Sequence, residues 1–432
     1  MQPSFYLKAF PCEDRTGQLF LFSLKKASIA KVPQKLFQDL QNSKLARERA
    51  DPLFRLGMAV EDRNAEKREM LSFFDRLNRS DPELHITAVL NLDCNFACVY
   101  CYEGSAKGRH YMTPDTADKL IDFIKNNLTP KKTSLRIDFY GGEPLLSMDT
   151  IRHISTAARE LAAQKGASCR FVLVTNGSLL TRKTAEELAD LGVERARVTI
   201  DGPAETHNRS RPFKTGAGSF AAVTDNIRRA CDLIKIGVGG NFEKHNYKKF
   251  PALLDYMLKT GLGPDKIGPV KFDPVMKSPA GKYLPPEYSG GCVSLNELWI
   301  RDAEAYLREE IMKRGYFTQK VRPVTCMVDI KDSWVVHYDG TLYKCPAFIG
   351  KSEFAAGSLD SEIRDYSIIY RTGHWRNEQC AECEYLPLCF GGCRYMSYVK
   401  HSDPGVLDCR KDYLDACLGT LVKQDAKYMQ KK

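Results

Sequence analysis

The stretch CNFACVYCYE, residues 94–103, places Cys94, Cys98 and Cys101 within eight residues, interleaved with Tyr100 and Tyr102. One residue, Asp93, separates it from HITAVLNL, residues 85–92, a run of strand-forming residues. Three thiols at a strand end, with no fourth beside them, pose the question of what completes the set. Cysteine thiolates ligate zinc or iron–sulfur clusters. Structural zinc takes four closed ligands, so zinc here needs a distant fourth residue. A [4Fe–4S] cluster held by three thiolates instead keeps one iron open to a substrate or cofactor.

Outward from this triplet, residues 84–275 alternate strand and helix patterns. Further strand-like runs are SLRIDFY (134–140), CRFVLVTNG (169–177), RARVTIDG (195–202), IKIGVGGNF (234–242) and IGPVKFDPV (267–275). Helix-like runs lie between them. In TPDTADKLIDFIKNNL (113–128), Thr113 suits an N-cap and Pro114 the first helical position. Ala117, Leu120, Ile121, Ile124 and Leu128 then share one helical face. Repeated βα units predict a parallel sheet. The six strands suit an incomplete barrel or an open sheet better than a closed eight-fold barrel. GGEP (141–144) follows the second strand, NG (176–177) ends the third and DG (201–202) ends the fourth. Ligand groups of parallel α/β folds sit at these C-terminal strand ends, so the features point to one shared site.

The flanks read differently. SFYLKAF (4–10) and QLFLFSLKKASIAKV (18–32) predict a hairpin, and PQKLFQDLQ (33–41) and AEKREMLSFFDRLN (65–78) predict helices, with FRLGMAVED (54–62) between them. This is a small α+β unit. After residue 275 comes a Pro/Gly-rich break, SPAGKYLPPEYSGG (278–291), then a helix around 295–314. A second cysteine set follows: Cys326, thirteen residues, Gly340, four residues, Cys345; then CAECEYLPLCFGGC (380–393), carrying Cys380, Cys383, Cys389 and Cys393; then Cys409. A pair of zinc ribbons is the plainer reading of that set. Cys12, Cys169, Cys231 and Cys417 stand outside any pattern and read as packing thiols.

Composition narrows the class. The chain has 432 residues, 43% hydrophobic and 27% charged, enough for two or three domains. It has no apolar run long enough to span a membrane and no signal-peptide pattern, which makes the cytoplasm the expected compartment. In a reducing compartment fifteen cysteines point to metal binding or catalysis rather than disulfides. The formal net charge is +10, but Lys and Arg are scattered, with no aromatic-interleaved stripe for nucleic acid.

The triplet spacing resembles the CxxxCxxC motif of radical S-adenosylmethionine (SAM) enzymes. YGGEP (140–144) is similar to their GGE motif, and VTIDGPAETHNRSR (198–211) is similar to SxDGxxxxHxxxR, with Thr199 where Ser is usual. The resemblance implies that Cys94, Cys98 and Cys101 hold a [4Fe–4S] cluster whose open iron chelates SAM. It implies SAM contacts at Gly141, Gly142, Glu143, Pro144, Asn176, Thr199, Asp201 and Arg211, with Tyr100 near the adenine. Glu143 would accept from the SAM ammonium, and Arg211 would pair with its carboxylate.

The second set, Cx(13)Gx4C…Cx2Cx5Cx3C…C, resembles the SPASM extension of such enzymes. By that resemblance Cys326, Cys345 and Cys393 hold one auxiliary cluster, and Cys380, Cys383, Cys389 and Cys409 hold another, making three [4Fe–4S] clusters. The first auxiliary cluster then takes Cys292 as fourth ligand or keeps an open iron. The implied fold is α/β: a partial (β/α)6 radical SAM barrel over 83–280, a small N-terminal α+β leader-recognition-like domain over 1–82, and a cysteine-rich SPASM domain over 281–432.

SPASM proteins include peptide maturases and sulfatase-maturating enzymes. The latter carry Asp directly after the Gx4C cysteine, whereas here Cys345 precedes Pro346. The N-terminal unit resembles leader-recognition domains, and with GTLYKCPAFIG (340–350) it resembles geopeptide-type maturases. The implied activity is modification of a ribosomally made precursor peptide by a 5′-deoxyadenosyl radical, forming a thioether or other cross-link. The implied partners are a precursor peptide with its leader and an electron donor such as flavodoxin or ferredoxin. Neither nucleic acid nor membrane is expected as a partner. The alternatives are an anaerobic sulfatase-maturating or other SPASM dehydrogenase, and a non-catalytic iron–sulfur electron carrier.

Overall fold

The computed structural model describes residues 1–13, 15–101, 103–277 and 291–428. Tyr102, the 280/281 boundary and all of the Pro/Gly-rich break except Gly291 lie outside the described residues.

At the N-terminus, β1 (Gln2–Pro3), β2 (Leu7–Pro11), β3 (Gln18–Ser23) and β4 (Ile29–Pro33) follow one another, and β5 (Ala59–Val60) lies between two pairs of short helices. The stretch expected as one hairpin arm is two strands, so the hairpin is a three-stranded antiparallel sheet, β2–β3–β4. The chain reverses at Ser23–Ser28, where Ala27 takes a φ of 53°. The central strand is apolar on both faces. Leu21 packs with Val32, Leu40 and Leu53 of its own unit. Phe22 packs with Tyr6 and Phe74 and, from the far end of the chain, with Trp375, Tyr385 and Phe390. The run 65–78 is two helices, Arg63–Leu71 and Phe73–Ser80, broken at Ser72.

The central sheet follows the pleat. In β7 (Ser134–Tyr140), which follows β6 (Glu83–Val89), Leu135, Ile137 and Phe139 are fully buried toward the helices, while Arg136, Asp138 and Tyr140 face the inside of the arc. Next come β8 (Ser168–Thr175), β9 (Val193–Thr199), β10 (Lys235–Phe242) and β11 (Ile267–Pro274), all parallel. The connecting helices Pro114–Asn127, Met148–Gln164, Arg182–Asp190, Phe220–Ala230 and Phe250–Lys259 cover the outer face. Thr113 caps the first as expected, accepting from Thr116 N–H at 3.1 Å.

The arc does not stop at six strands. β12 (Ser333–Val336) runs parallel beside β6, and β13 (Leu342–Tyr343) pairs antiparallel with β12, so the sheet order is β11-β10-β9-β8-β7-β6-β12-β13. The cysteine-rich segment thus builds onto the open edge of the barrel. Helix Leu298–Lys313 packs against β11 and the final helix Lys411–Tyr428, and a buried ion pair, Arg308–Asp425, joins the two helices. No described helix is long and apolar enough to cross a membrane.

Candidate active site

The C-terminal ends of the parallel strands meet at one rim. After β7 the chain turns at Gly141, with a φ of 143°. A Cβ on Gly141 would lie 2.4 Å from the Asn91 carbonyl oxygen, and one on Gly142 2.2 Å from that of Asp93. Glycine at both positions lets two backbones touch. Gly142 N–H donates to Asn91 O at 3.1 Å, and Glu143 N–H donates to Asp93 O at 2.7 Å. The glycine pair therefore docks its loop onto the cysteine loop.

Glu143 is 0% exposed. Its carboxylate accepts from Thr175 Oγ1 at 2.6 Å, Leu145 N–H at 3.1 Å and Asn176 N–H at 2.8 Å. Burial raises its pKa, and these three bonds oppose the shift. Both oxygens are taken by protein donors, and the group braces the loop after β8. Pro144, also buried, opens the turn behind it. In the braced loop, Asn176 Nδ2 donates to Asn95 Oδ1 at 2.8 Å and lies 3.8 Å from Cys94 Sγ. Asn176 thus reaches the triplet itself.

A second network joins the cysteine loop to β9 and β10. Thr199 ends β9, and Asp201, two residues on, is fully buried. The Tyr100 hydroxyl donates to Asp201 Oδ2, and Asn241 N–H donates to Oδ1 at 2.7 Å. The same hydroxyl accepts from Arg211 Nη1 at 2.7 Å and Asn241 Nδ2 at 2.9 Å. His207 sets this network in place. Its Nδ1 accepts from Asp201 N–H at 3.1 Å, so Nε2 carries the proton toward Ser219 Oγ at 3.0 Å, and Ser219 in turn donates to the Arg211 carbonyl at 2.6 Å. Burial, aided by the Arg211 charge, pushes the His207 pKa down to about 3 and keeps the ring neutral.

Arg211 lies over the Phe96 ring, its charge favours the Cys98 thiolate, and its buried Nε has no hydrogen-bond partner among the described residues. Burial alone would lower the Lys107 pKa, but the charges of Cys101, Cys94, Cys98 and Glu103 beside it hold it above its ordinary range. Burial pushes Glu103 up to about 7, against the pull of Lys107. Burial also pushes the Cys94 thiol up to about 11. Such a thiol gives up its proton when a metal takes the proton's place.

The second cysteine set falls into two groups. Burial raises the Cys345 and Cys326 pKa values; the charges of Cys326 and Cys393 raise that of Cys345 further, and that of Cys393 raises Cys326. Beside this first group, Arg394 is 2% exposed. Its Nη2 donates to both Asp329 oxygens, at 2.8 and 2.6 Å, while its Nε and Nη1 are without partners among the described residues. Cys380, Cys383, Cys389 and Cys409 line one cavity of about 380 Å³ together with Phe5. There the Arg410 charge favours the Cys389 thiolate, and Arg410 Nε is again buried without a partner among the described residues. Cys292 is fully buried in the apolar cluster around the first group. Burial pushes it up to about 12, and the carboxylates of Glu297, Glu304 and Asp408 raise it further.

Among the described residues, no three Cys, His, Asp or Glu side chains converge tightly enough for a single metal ion. A four-iron cluster is wider and holds its thiolates further apart. It is also anionic once thiolates ligate it, and each cysteine group has beside it an arginine with an unpartnered buried N–H: Arg211, Arg394 and Arg410. The residues present fit such a cluster.

Residues 90–257 match the model of the Radical SAM superfamily, so the chain carries a radical SAM domain. That family implies a [4Fe–4S] cluster and SAM. The chain is 31% identical to Fe-coproporphyrin III synthase of Methanosarcina barkeri over 168 residues, 38% of each chain. It is 24% identical to the cysteine-type anaerobic sulfatase-maturating enzyme of Clostridium perfringens over 341 residues, 70% of this chain and 86% of that enzyme. Among solved structures, native anSMEcpe with bound AdoMet and Kp18Cys peptide superposes with a TM-score of 0.65 at 18% identity, over 80% of this chain and all of that one. Streptococcus suis SuiB bound to precursor peptide SuiA superposes with a TM-score of 0.55 at 14% identity, over 94% of this chain and 98% of that one. At these identities the structural likeness establishes the fold, an α/β radical SAM barrel with a cysteine-rich C-terminal extension.

Sequence reasoning did not single out Lys107, Glu103, Asn241 or His207 as site residues. His207 stood inside the quoted DG…H…R stretch, so its spacing could have found it. Lys107 and Asn241 carry no local signal: one sits in a turn after the triplet, the other at the end of a glycine-rich strand.

Proposed function

We propose that the protein is a cytoplasmic radical SAM/SPASM maturase of a ribosomally made precursor peptide. The observation that carries this reading is the triplet at the barrel rim, three thiols without a fourth, ringed by Asn176, Lys107 and the unpartnered N–H of Arg211. Cys94, Cys98 and Cys101 would hold the SAM-binding [4Fe–4S] cluster, and the two C-terminal groups would hold two auxiliary clusters. When bound, the cluster and SAM supply a 5′-deoxyadenosyl radical that takes a hydrogen atom from a peptide carbon. The chain's own groups do the positioning. The GG pair and Glu143 fix the rim. Asp201, Tyr100 and the neutral His207 aim Arg211 toward the place of the SAM carboxylate. Thr199 and Asn241 border the same space.

Two facts support a peptide substrate. The fold matches 98% of a protein solved with its precursor peptide, and the N-terminal unit has a three-stranded sheet to whose edge a leader would add as a further strand. A Cys thiolate or ring carbon of the peptide would close the cross-link, its hydrogen leaving as a proton and the leftover electron passing to an auxiliary cluster, while flavodoxin or ferredoxin would supply the electron that cleaves SAM. The sulfatase-maturating alternative is favoured by the 24% relative, but Pro346 opens a turn, Pro346–Phe348, where that group has its carboxylate.

The test is reductive cleavage of SAM by the anaerobically reconstituted enzyme. Deoxyadenosine should form, and Cys94→Ala, Cys98→Ala and Cys101→Ala together should abolish it. Arg211→Ala should keep its iron yet bind SAM about ten- to a hundredfold more weakly, the worth of one charge-assisted contact. Stoichiometric zinc in place of iron would refute the reading.

A further inference from the structure

The inner face of the barrel is lined by positive charge. The pleat puts Arg136 on β7, Arg170 on β8, Arg195 and Arg197 on β9, Lys235 on β10 and Lys271 on β11 on that face, against the carboxylates Glu83, Asp138 and Asp273. The register sets like charges side by side: Arg136 is directly opposite Arg170, and Arg195 directly opposite Lys235. Such pairs repel across neighbouring strands and add nothing to the fold. Arg170, Arg197 and Lys271 are partly neutralised by Glu83 and Asp273. Arg195 and Lys235 are exposed and have no ion pair among the described residues, and both line a cavity of about 690 Å³ below the strands, together with Lys266, Asp265 and Asp232, the last paired with Arg182.

Between the charges β10 carries only glycines on this face, and the Arg197 side chain lies over one of them. Gly237 and Gly239 occupy the inward positions of β10, and a Cβ on Gly239 would lie 3.0 Å from Arg197 Nε. Arg197 and Arg195 sit two and four residues below Thr199, roughly 7 and 13 Å from the rim at strand rise. The register therefore sets a file of inward positions that leads from Thr199 at the rim, where SAM would react, past Arg197 to Arg195 and Lys235.

We propose that this face binds an acidic segment of the peptide substrate, carboxylates paired with Arg195 and Lys235 while the segment's reacting residue stands at the rim. This rests on the peptide reading above and adds the charge class of the peptide.

The test uses the reconstituted holoenzyme and two fluorescein-labelled peptides, one of alternating Glu and Ser, the other with every Glu replaced by Gln. Fluorescence anisotropy should show the Glu peptide binding at least about tenfold tighter, an advantage that fades as salt rises. Arg195→Gln with Lys235→Gln should remove most of that advantage and leave the Gln peptide unchanged. Lys125→Gln with Lys259→Gln, on the outer helices, should change neither. Equal affinity for the two peptides, or an equal loss in the outer variant, would overturn the proposal. Those outcomes leave the maturase reading standing if a neutral precursor is still cross-linked. Failure of every peptide, acidic or neutral, to be modified would instead overturn the maturase reading.

Discussion

The barrel rim and the C-terminal cysteine segment both gather thiols, but by opposite means. At the rim, Cys94, Cys98 and Cys101 hang between regular elements. β6 precedes them, the GG turn docks on their flank, and the Tyr100–Asp201–Arg211 network ties them to β9 and β10. In the C-terminal segment, Cys380, Cys383, Cys389 and Cys409 line a cavity of about 380 Å³. Its walls are two four-residue helices, Glu378–Ala381 and Leu386–Cys389, and a left-handed turn at Phe390. A site framed by a sheet keeps its shape when empty. A site framed by turns takes much of its stability from what fills it. The rim cluster should therefore act as cargo, and the C-terminal cluster as part of the core.

The largest expected effect tests that difference. About 12 irons per chain are expected after anaerobic reconstitution. Cys380→Ala with Cys383→Ala should cost about four of them and lower the thermal midpoint by roughly 10 °C. Replacing the rim triplet should cost the same iron but move the midpoint by only about a third as much. Iron analysis and anaerobic calorimetry read both, and equal midpoint shifts would erase the distinction between the two frames.

A smaller effect sharpens the comparison from the other side. The N-terminal unit, read from the sequence as a leader-recognition-like domain, also packs on the C-terminal segment: Tyr6, Phe22 and Phe74 share a core with Trp375 and Phe390, and Phe5 lines the cysteine cavity. Lys8 and Lys67 also pair with Glu384 and Glu382 beside Cys383. Phe74→Ala should cost about 3–5 kcal/mol and loosen the C-terminal cluster, seen as lost absorbance on heating. Deleting residues 1–80 should do the same more severely. Leu40→Ala, in the unit's own core, should destabilise the unit while leaving that absorbance intact. If the deletion spares every cluster, the shared core has no structural weight.

The smallest effect concerns pH at the rim. Burial and Arg211 lower the His207 pKa to about 3. The unfolded chain takes up a proton as pH falls through about 6.5, while the folded chain resists until near 3. The stability contributed by neutral His207 is therefore complete above about pH 6.5. It falls by up to ~1.4 kcal/mol per pH unit below that, until the folded pKa is reached. His207→Gln should flatten this slope in thermal midpoints measured from neutral to mildly acidic pH. An unchanged slope would mean that the ring is protonated in the fold.

The contrast also marks what the sequence could reveal. The barrel strands were legible because a parallel sheet covered by helices repeats the same apolar period, and the cysteine sets because ligand geometry dictates spacing. β12 and β13 were not, since strands of four and two residues acquire meaning only from the β6 edge they join. The turn at Ala27 and the break at Ser72 were missed because Lys-rich and Ser-containing runs continue a strand or helix pattern without interruption. Glu143 stands at the rim, but its partners Thr175 and Asn176, 32 and 33 residues on, come from tertiary contact and left no trace in the motif. Lys107 and Asn241 reach the site the same way.

The rim is proposed to gather SAM chemistry for use on a peptide. The most direct measurement is mass spectrometry of a precursor peptide after incubation with the reconstituted enzyme, SAM and a reductant. The product should be about two mass units lighter per cross-link, one hydrogen leaving a carbon and one its partner, with deoxyadenosine formed alongside. A Cys or Ser oxidised to an aldehyde, or a peptide of unchanged mass beside full SAM cleavage, would contradict it.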